Sequence, residues 1–428
     1  MGVFGCGKEP NVQYTSSDAL LLHRCERMLT QIIIKDIFTP PVASRIYVYP
    51  SLAAYEASRF ISYSSSSIAQ RLNGFSNAMP RPEPDKQYDF TVSAIKAFST
   101  TAQVLIFSKA VMEDFANQIL QELKPRTNKE TFLRSLEFGQ KVAEAIIQRI
   151  SSDNYRETRG MERFEVKMGE PGRWVPTPPD YADAVEPHWR RMKTMVLDSP
   201  SQCTVGDPPV YSERKNSVFW NELMEVYEGV NKISDEGEEM NILTFWDDNP
   251  FVSRHKGHLM FQDKKMTPGG HWMAIVRIMS QHENQGLFQA AQSYALTSIA
   301  LYDAFISCWD TKYRTVRLRP ETVISSHIEK DWHPHLVTPP FPAYTSGHST
   351  ISAAAAEIVT HIFGDQVPFT DSTELEFGLP VRSFKSFREA ALEASLSRVY
   401  AGIHFRSDCD KGNEQGSKVG KLVLSKLK

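Results

Sequence analysis

The spacing of hydrophobic positions gives the first indication of the fold. Apolar residues recur three and four positions apart over long segments, whereas the alternation of apolar and polar residues that marks β-strands is scarce. This pattern predicts a mostly α-helical protein. The predicted helices cover residues 17–37, 51–63, 84–123, 129–152, 212–233, 270–281, 286–313, 349–363, 383–400 and 404–424.

Clusters of proline and glycine separate these helices and predict the linkers. They fall at residues 73–83, 124–128, 169–182 and 198–209. The long polar stretch 151–209 has two interpretations: an ordered surface segment that covers part of a functional site, or a plain connection between two bundles. We expect an all-α protein with two helical bundles, an N-terminal region over residues 1–240 and a C-terminal bundle over residues 241–428.

Composition narrows the class of protein. Of the 428 residues, 41% are hydrophobic and 23% are charged, which is typical of a folded globular protein with one large core or two ordinary ones. The net charge of −3 gives no sign of a basic surface, so nucleic acid and anionic membrane surfaces are not expected as partners. No apolar run approaches the roughly 20 residues that a membrane-spanning helix needs, so no transmembrane segment is expected.

The cysteines carry two further expectations. Five of them are scattered along the chain without a CxxC pair, which argues against a disulfide scaffold or a zinc site. The segment Val3-Phe4-Gly5-Cys6 resembles the end of a bacterial lipoprotein signal, in which the cysteine becomes the acylated N-terminus. On this basis we expect an exported, periplasmic or outer-membrane protein with a lipid anchor at Cys6. A chance match over so short a segment is the competing interpretation.

Three clusters in the last third of the chain contain the candidate chemistry. In the first, Lys312 is followed seven residues later by Arg319 and then Pro320. The helical spacing predicts that Lys312 and Arg319 project from one face of the same helix, which Pro320 ends because it has no N–H group to donate. With Arg314 and Arg317 nearby, the alternative is a solvated basic face.

The second cluster, Ser346-Gly347-His348, leads from a proline-rich loop into an amphipathic helix predicted to begin near Ser349. A helix N-terminus offers unpaired N–H donors and a partial positive charge, and Gly347 lets the backbone approach an anion closely. Ser346 adds a hydroxyl donor. An ordinary helix cap formed by Ser349 or Thr350 is the alternative, although it gives no role to His348.

The third cluster consists of Ser397 and Arg398, followed by His404 and Asp408. A spacing of four residues allows Asp408 to accept a hydrogen bond from one ring nitrogen of His404, which directs the other nitrogen toward a ligand. Together the clusters supply three cations, a hydroxyl group, a free backbone N–H group and two imidazoles. This set predicts a site for a tetrahedral oxyanion, either phosphate or a phosphate mimic.

The order and spacing of these residues resemble a known signature. Lys-x6-Arg-Pro, Ser-Gly-His and Ser-Arg-x5-His-x3-Asp are similar to the motifs of the superfamily that contains type 2 phosphatidic acid phosphatases and vanadium-dependent haloperoxidases. The resemblance spans residues 312–408, with Thr345 at a position where the family usually has proline. It implies a vanadium chloroperoxidase-like fold with the oxyanion site in the C-terminal bundle.

The resemblance also implies a role for each residue. The groups around the equatorial oxygens of the anion would be Lys312, Arg319, Ser346, the Gly347 N–H group and Arg398. In a haloperoxidase, His404, supported by Asp408, would bind vanadium, and His348 would exchange protons with peroxide. In a phosphatase, His404 would attack phosphorus to form a phosphohistidine, and His348 would protonate the leaving alcohol. Both activities use one trigonal-bipyramidal geometry, so the motifs do not choose between them.

Two aromatic residues favour the haloperoxidase branch. Trp309 and Phe341 stand at positions similar to those beside the halide in fungal vanadium chloroperoxidases, although aromatic residues at such positions often only pack. We therefore expect a haloperoxidase that contains vanadate and oxidises halide with hydrogen peroxide. The alternatives are an acid phosphatase that acts on small phosphomonoesters, with phosphate in the same site, and a non-catalytic phosphate-binding protein.

Two further titratable residues lie in apolar surroundings. His271 stands next to Trp272 at the start of a predicted helix, either near the pocket or as part of an ordinary packing pair. Asp303 lies inside an apolar helical run, and a carboxylate there must have partners if it is buried.

Overall fold

A computed structural model describes residues 12–62, 65–75, 77–249 and 265–427, together with the backbone of residues 253–256 and 259–262. Within these residues the chain is mostly α-helical, as the hydrophobic spacing predicts. The helices are α1 (Ser16–Lys35), α2 (Pro40–Ser58), α3 (Phe90–Gln103), α4 (Lys109–Leu123), α5 (Lys129–Ile150), α6 (Tyr155–Arg159), α7 (Val218–Lys232), α8 (Glu238–Phe245), α9 (Pro268–His282), α10 (Leu287–Thr315), α11 (Pro320–His327), α12 (Gly347–Phe363), α13 (Phe387–Tyr400) and α14 (Arg406–Leu427). Short 3-10 turns cover Arg59–Ile61, Ala69–Arg71, Lys124–Arg126, Trp189–Arg191 and Thr373–Phe377.

Two short antiparallel hairpins interrupt the helices. The strands are β1 (Ser253–Lys256), β2 (Leu259–Gln262), β3 (Phe369–Asp371) and β4 (Arg382–Phe384). In the first hairpin Ser253 pairs with Gln262, and in the second Phe369 pairs with Phe384. The rings of Phe369 and Phe384 are both buried, with centroids 5.5 Å apart, so the core anchors the second hairpin. This packing places Asp371, at the end of β3, inside the protein.

The long helix α10 is central to the fold. It packs against α2, α12 and α14, and most of its residues are buried. One continuous hydrophobic core includes side chains from Leu22 near the N-terminus to Leu427 near the C-terminus. Because this core crosses the predicted boundary between residues 240 and 241, that division stays a prediction. Within the described part of the chain, no helix combines the length and the apolar character needed to cross a bilayer.

The single helix predicted over residues 84–123 is wrong, because this segment forms both α3 and α4. The break between them is caused by a tertiary contact. The N–H groups of Phe107 and Ser108 donate to the side chain of Asp36, each at 2.9 Å, instead of continuing a helix. Asp36 follows the last residue of α1, so a side chain distant in sequence decides where α4 begins. The short helices α6, α8 and α11 were not predicted.

The helix predicted over residues 51–63 is the later part of the longer helix α2. This helix begins at Pro40, and its first two residues are both prolines. Proline is favoured at these positions because the first N–H groups of a helix have no intrahelical partner. The early start matters for the site, because Pro40 lines the cavity described below.

The segment between α10 and α11 corrects the prediction for the first cluster. Helix α10 ends at Thr315, and Val316 has a φ of 49°, a left-handed conformation that stops the helix. Arg319 has an extended backbone and precedes α11, whose first residue is Pro320. Lys312 and Arg319 therefore lie on different elements, and Pro320 begins a helix instead of ending one.

Helices α12 and α14 approach each other closely along a stripe of glycines. The glycines are Gly412, Gly416 and Gly420, at every fourth position of α14. A Cβ atom at Gly416 would overlap the carbonyl oxygen of Thr350 in α12, so only glycine allows this packing. As a result, the start of α12 lies beside the start of α14, where the Ser346 N–H group donates to the Asp408 carbonyl oxygen at 2.9 Å.

Candidate active site

One cavity brings the predicted site residues together. It encloses about 550 Å³ of space not filled by protein atoms, part of it open to solvent. The predicted residues that line it are Trp309, Phe341, Gly347, His348, Arg398 and His404. Those that lie behind the lining are Lys312, Arg319, Ser346 and Asp408, all fully buried. Three clusters that are separate in sequence therefore form one site.

Asp408 fixes the imidazole ring of His404. His404 precedes α14, Asp408 lies in its first turn, and Oδ2 of Asp408 is 3.1 Å from Nδ1 of His404, as the spacing predicts. The same oxygen accepts from the Phe405 N–H group at 3.0 Å, while Oδ1 accepts from Nη1 of Arg317 at 2.6 Å. Burial alone would raise the pKa of Asp408, but Arg317 and His404 hold it below its usual range. The carboxylate is therefore ionised at neutral pH.

The hydrogen bonds of His404 define which ring nitrogen carries the proton. Nε2 lies 3.0 Å from Nη1 of Arg319. Because a guanidinium group can only donate, Nε2 accepts, and Nδ1 carries the proton that it donates to Asp408. Burial, followed by the charge of Arg319, lowers the pKa of His404 well below its usual value. His404 is thus a neutral imidazole whose Nε2 lone pair accepts from Arg319 here, and that lone pair can ligate a metal or attack phosphorus when Arg319 donates to a bound oxyanion instead.

The hydrogen bonds of Arg319 and Lys312 go mainly to backbone carbonyl groups. Arg319 donates from Nε to the Phe341 oxygen at 3.0 Å. Lys312 donates from Nζ to the oxygens of Pro342 and Ala343 at 2.8 and 3.0 Å. Neutral acceptors orient these cations without cancelling their charge. Burial accordingly lowers the pKa of Lys312 to about 7 and that of Arg319 to about 10.

Arg398 supplies a third cation from the end of α13. Its Nε donates to Oγ of Ser397 at 2.9 Å, and its Nη2 donates to the carbonyl oxygen of Trp246 at 2.6 Å. These bonds use two of the five donors of the guanidinium fork and hold the group at the cavity wall. Burial lowers the pKa of Arg398, because its acceptors are likewise neutral.

The start of α12 contributes backbone donors. Ser346 is the N-cap residue, and its hydroxyl oxygen accepts from the Ser349 N–H group at 3.3 Å. The expectation that the helix begins near Ser349 is therefore wrong by two residues, since Gly347 is already helical. Gly347 and His348 line the cavity, so the unpaired N–H groups of the first helical turn lie at its wall.

His348 provides a second imidazole in the cavity. Its Nε2 is 3.5 Å from Oδ2 of Asp248 and has no hydrogen-bond partner among the residues that the structure describes. Burial, followed by the charge of Arg398, lowers the pKa of His348 to about 4. His348 is therefore neutral at neutral pH. A neutral imidazole that lines the cavity can exchange protons with a molecule bound there.

The pKa shifts of the site have one physical cause. The pKa values of Lys312, Arg319, Arg398, His348 and His404 are all lowered, and burial is the largest contribution for each. Positive charge is concentrated where water solvates it poorly. A bound anion that accepts several hydrogen bonds would therefore raise the pKa of each of these groups. The arrangement is suited to a multiply charged oxyanion.

Trp309 and Phe341 form an aromatic side of the cavity, with ring centroids 5.1 Å apart. The Lys312 ammonium group lies 4.9 Å from the centre of the Phe341 ring. Trp309 donates from Nε1 to the carbonyl oxygen of Val185, which belongs to the long stretch 151–209, at 3.2 Å. This stretch is fully described and lines none of the cavity, so it supports the aromatic side from behind. The interpretation that it covers the site is wrong.

Sequence reasoning missed two residues that support the site. Arg317, mentioned above only in the alternative of a solvated basic face, is 4% exposed and donates to both Asp408 and Glu222. The sequence contains an indication of this position. In an extended segment residues 317 and 319 point to the same side, and both arginines turn inward. Asp248, which contacts His348, lies in no recognisable motif, and only the fold brings it to the cavity.

Two expectations outside the cavity have clear outcomes. Asp303 is buried and accepts hydrogen bonds from three consecutive backbone N–H groups, at 2.7, 2.7 and 2.9 Å, so its expected pairing is confirmed. Burial raises its pKa to about 6. The four cysteines that the structure describes are unpaired and buried, as expected. The predicted lipid anchor at Cys6 lies outside the described residues and stays a prediction.

Fold and site together define a mostly helical protein with a buried cavity surrounded by cationic side chains. The family model of the VCPO second helical-bundle domain matches residues 292–428, which include every predicted site residue. A crystal structure titled as the first bacterial vanadium-dependent iodoperoxidase is 43% identical to the chain, with a TM-score of 0.91. The match covers 98% of this chain and 99% of that chain. The chain therefore belongs to the vanadium haloperoxidase family, and the resemblance identified in the motifs is confirmed.

Two more distant structures share the fold. Holo-type bacterial vanadium-dependent chloroperoxidase is 16% identical, with a TM-score of 0.67 over 92% of this chain and 93% of that chain. The apo-type structure is 15% identical, with a TM-score of 0.64 over 91% of this chain and 94% of that chain. At such identities the likeness concerns the fold alone. A comparison with curated proteins found no match.

Proposed function

We propose that this protein oxidises iodide with hydrogen peroxide at a vanadate bound in the cavity. In this proposal His404 ligates vanadium, and the oxygens are held by Lys312, Arg319, Ser346, Gly347 and Arg398. The main support is the geometry at His404. Its Nδ1 is tied to Asp408 at 3.1 Å, which leaves the Nε2 lone pair on the side of Arg319, 3.0 Å away.

The chemistry of the donor groups fits vanadate. A tetrahedral oxyanion with negative charge needs several donors around its oxygens and an environment of opposite charge. The cavity offers three buried cations whose hydrogen bonds go to neutral oxygens, and it adds the backbone donors at the start of α12. Vanadium also accepts an imidazole nitrogen as a ligand, and Nε2 of His404 is unprotonated. Charge, donors and ligand are therefore all supplied by this chain.

When bound, vanadate supplies a Lewis acid that activates hydrogen peroxide without changing its own oxidation state. The protein residues do the remaining work. Lys312, Arg319 and Arg398 stabilise negative charge on the bound oxygens in a site that excludes most water. His348 accepts a proton from hydrogen peroxide at Nδ1 and returns it as the peroxide oxygen bond breaks. Iodide gives up two electrons to the peroxide, one further proton comes from solvent, and hypoiodous acid and water leave.

Iodide is the proposed halide for two reasons. The relative that is 43% identical is titled as an iodoperoxidase. Iodide is also the largest, most weakly hydrated and most easily oxidised of the common halides, so little energy is needed to bring it from water to an apolar wall. Trp309 and Phe341 form such a wall beside the Lys312 ammonium group. A strongly hydrated chloride ion gains less from this surface.

A steady-state assay tests the proposal. The purified protein is incubated with orthovanadate and hydrogen peroxide, and triiodide is followed by absorbance with iodide, or monochlorodimedone bromination with bromide and chloride. We expect oxidation that requires both vanadate and peroxide and that is fastest with iodide. His404→Ala should abolish the activity, whereas His361→Ala, which removes an exposed histidine of α12, should retain it.

The same preparation distinguishes the competing activity. Absence of vanadate-dependent oxidation with all three halides would refute the proposal. Hydrolysis of p-nitrophenyl phosphate without vanadate, inhibited by vanadate and lost in His404→Ala, would instead establish the phosphatase.

A further inference from the structure

A buried histidine outside the sequence motifs lies between two carboxylates. His271 of α9 is fully buried, and its Nδ1 is 3.0 Å from Oδ1 of Asp248. Its Nε2 is 2.9 Å from Oδ2 of Asp371, at the end of β3, and 2.8 Å from Oγ1 of Thr373. Carboxylates accept hydrogen bonds, so both ring nitrogens of His271 donate. The side chain is therefore an imidazolium cation that joins two separate elements.

The charges around His271 support this assignment. Burial alone would lower its pKa, but the two carboxylates raise it well above the usual value. Glu374 is also near, with Oε1 3.7 Å from Nδ1, and burial followed by the charge of Asp248 raises its pKa to about 8. Glu374 is thus protonated at neutral pH. Nζ of Lys265 forms an ion pair with Oδ2 of Asp247 at 2.6 Å. The imidazolium therefore contacts the carboxylates of Asp248 and Asp371.

The cluster reaches the cavity through Asp248. While Oδ1 of Asp248 accepts from His271, its Oδ2 faces Nε2 of His348 at 3.5 Å. Because Asp248 is bound to a fixed cation on one side, its carboxylate plane and its charge are fixed on the other. This contact is electrostatic and is not a hydrogen bond, but the negative charge favours a proton on Nε2 of His348, so the lone pair of the neutral ring is on Nδ1. Arg398 and Asp247 are further charged groups that act on His348.

We propose that His271 is a positioning residue for His348. By donating from both ring nitrogens it keeps Asp248 ionised and oriented, and Asp248 in turn holds His348 in the tautomer that accepts a proton from hydrogen peroxide. This inference rests on the proposed role of His348. A metal ion at Asp248, His271 and Glu374 is a different interpretation of the same cluster. The direct contact of Nδ1 of His271 with Asp248 at 3.0 Å, and the contact of Nε2 with Asp371, favour the hydrogen-bonded arrangement.

The test begins with ¹⁵N NMR of the vanadate-free protein labelled at histidine. We expect His271 to be an imidazolium at neutral pH, and His348 to be neutral with the proton on Nε2. In His271→Gln the tautomer of His348 should become mixed, and kcat should fall about tenfold or more while the affinity for vanadate is unchanged. His23→Gln, which removes a buried histidine bonded to Tyr294, is the matched control and should change none of these properties.

A double-mutant comparison shows whether His271 acts through Asp248. Asp248→Asn should mix the His348 tautomers as His271→Gln does, and the double variant should show no further loss of kcat. A neutral His271 in the wild-type protein would overturn the inference without any variant, which keeps the test valid if His271→Gln does not fold. Additive losses in the double variant, or an unchanged His348 tautomer in His271→Gln, would also overturn it. Because the NMR readouts need no turnover, failure of the proposed peroxidase activity would be seen separately.

Discussion

Replacing Asp408 by asparagine tests how the protein holds His404. The two side chains have the same shape, but asparagine has only one acceptor oxygen. In the native protein three groups donate to the carboxylate: Arg317 to Oδ1, and Phe405 and His404 to Oδ2. Whichever way the asparagine amide is oriented, its NH₂ group faces a donor. If it faces His404, Nδ1 must lose its proton and Nε2 must gain one.

The magnitude follows from these contacts. A proton on Nε2 removes the lone pair that ligates vanadium and also faces Nη1 of Arg319, 3.0 Å away. Loss of a hydrogen-bond partner of a metal-binding histidine typically costs about 10- to 100-fold in metal affinity. That range corresponds to about 1.4 to 2.8 kcal/mol of binding free energy. A buried charge-assisted hydrogen bond is also lost, so the free energy of unfolding should fall by about 1.5 to 3 kcal/mol.

Isothermal titration of vanadate into Asp408→Asn, together with urea unfolding, measures both effects. The matched control is Asp410→Asn, which changes an exposed carboxylate two residues further along α14. We expect weaker vanadate binding only in Asp408→Asn, while Asp410→Asn resembles the wild-type protein. An unchanged vanadate affinity in a folded Asp408→Asn variant whose amide NH₂ group faces His404 would refute the reasoning, because vanadate binding would then not depend on the His404 tautomer.

Three further predictions follow from the site and its supports. His348→Ala should lower kcat by about 10²- to 10⁴-fold and leave vanadate affinity nearly intact, since the proposed role of His348 is to transfer protons and not to hold the anion. An equal loss of kcat in a steady-state assay and of vanadate affinity in a binding assay would contradict this role. Vanadate affinity should fall by up to about tenfold per pH unit as the pH rises above about 7, because only protonated Lys312 attracts the anion and the bound anion raises the pKa of Lys312. The Lys312→Met variant should bind vanadate more weakly and with a flatter pH dependence. The titration of vanadate itself affects both proteins equally and cancels in this comparison. Gly416→Ala should lower the free energy of unfolding, measured in urea, by about 3 kcal/mol, because the new Cβ atom would overlap Thr350. The control is Gly229→Ala in α7, where a Cβ atom meets nothing within 4 Å, and this variant should be neutral or stabilising.

The residues of the site could be predicted from sequence where the geometry is local. The pairing of His404 with Asp408 depends only on their spacing along the chain, and the start of α12 was predicted to within two residues. The path of the chain around Arg319 could not be predicted in the same way. Helix α10 stops because Val316 adopts a left-handed conformation, and its carbonyl oxygen accepts from the Trp174 N–H group at 2.8 Å. That contact comes from a segment far away in sequence.

The same distinction applies to the fold. Hydrophobic spacing predicted the long helices, but not the break between α3 and α4, which is set by the side chain of Asp36. The regular spacing of Gly412, Gly416 and Gly420 was visible in the sequence and indicates a close helix contact, yet it does not say which helix is the partner. Asp248 carried no sequence motif, and His271 was predicted only to lie near the pocket or in a packing pair, because their contact arises from the packing that brings them together.

The central claim is that the cavity at His404 binds vanadate. Crystals soaked in orthovanadate, with diffraction measured on both sides of the vanadium absorption edge, test it directly. The account predicts one anomalous peak in the cavity, bonded to Nε2 of His404, with Lys312, Arg319 and Arg398 around the surrounding oxygens. A peak at any other place, or no peak in this cavity at saturating vanadate, would contradict it.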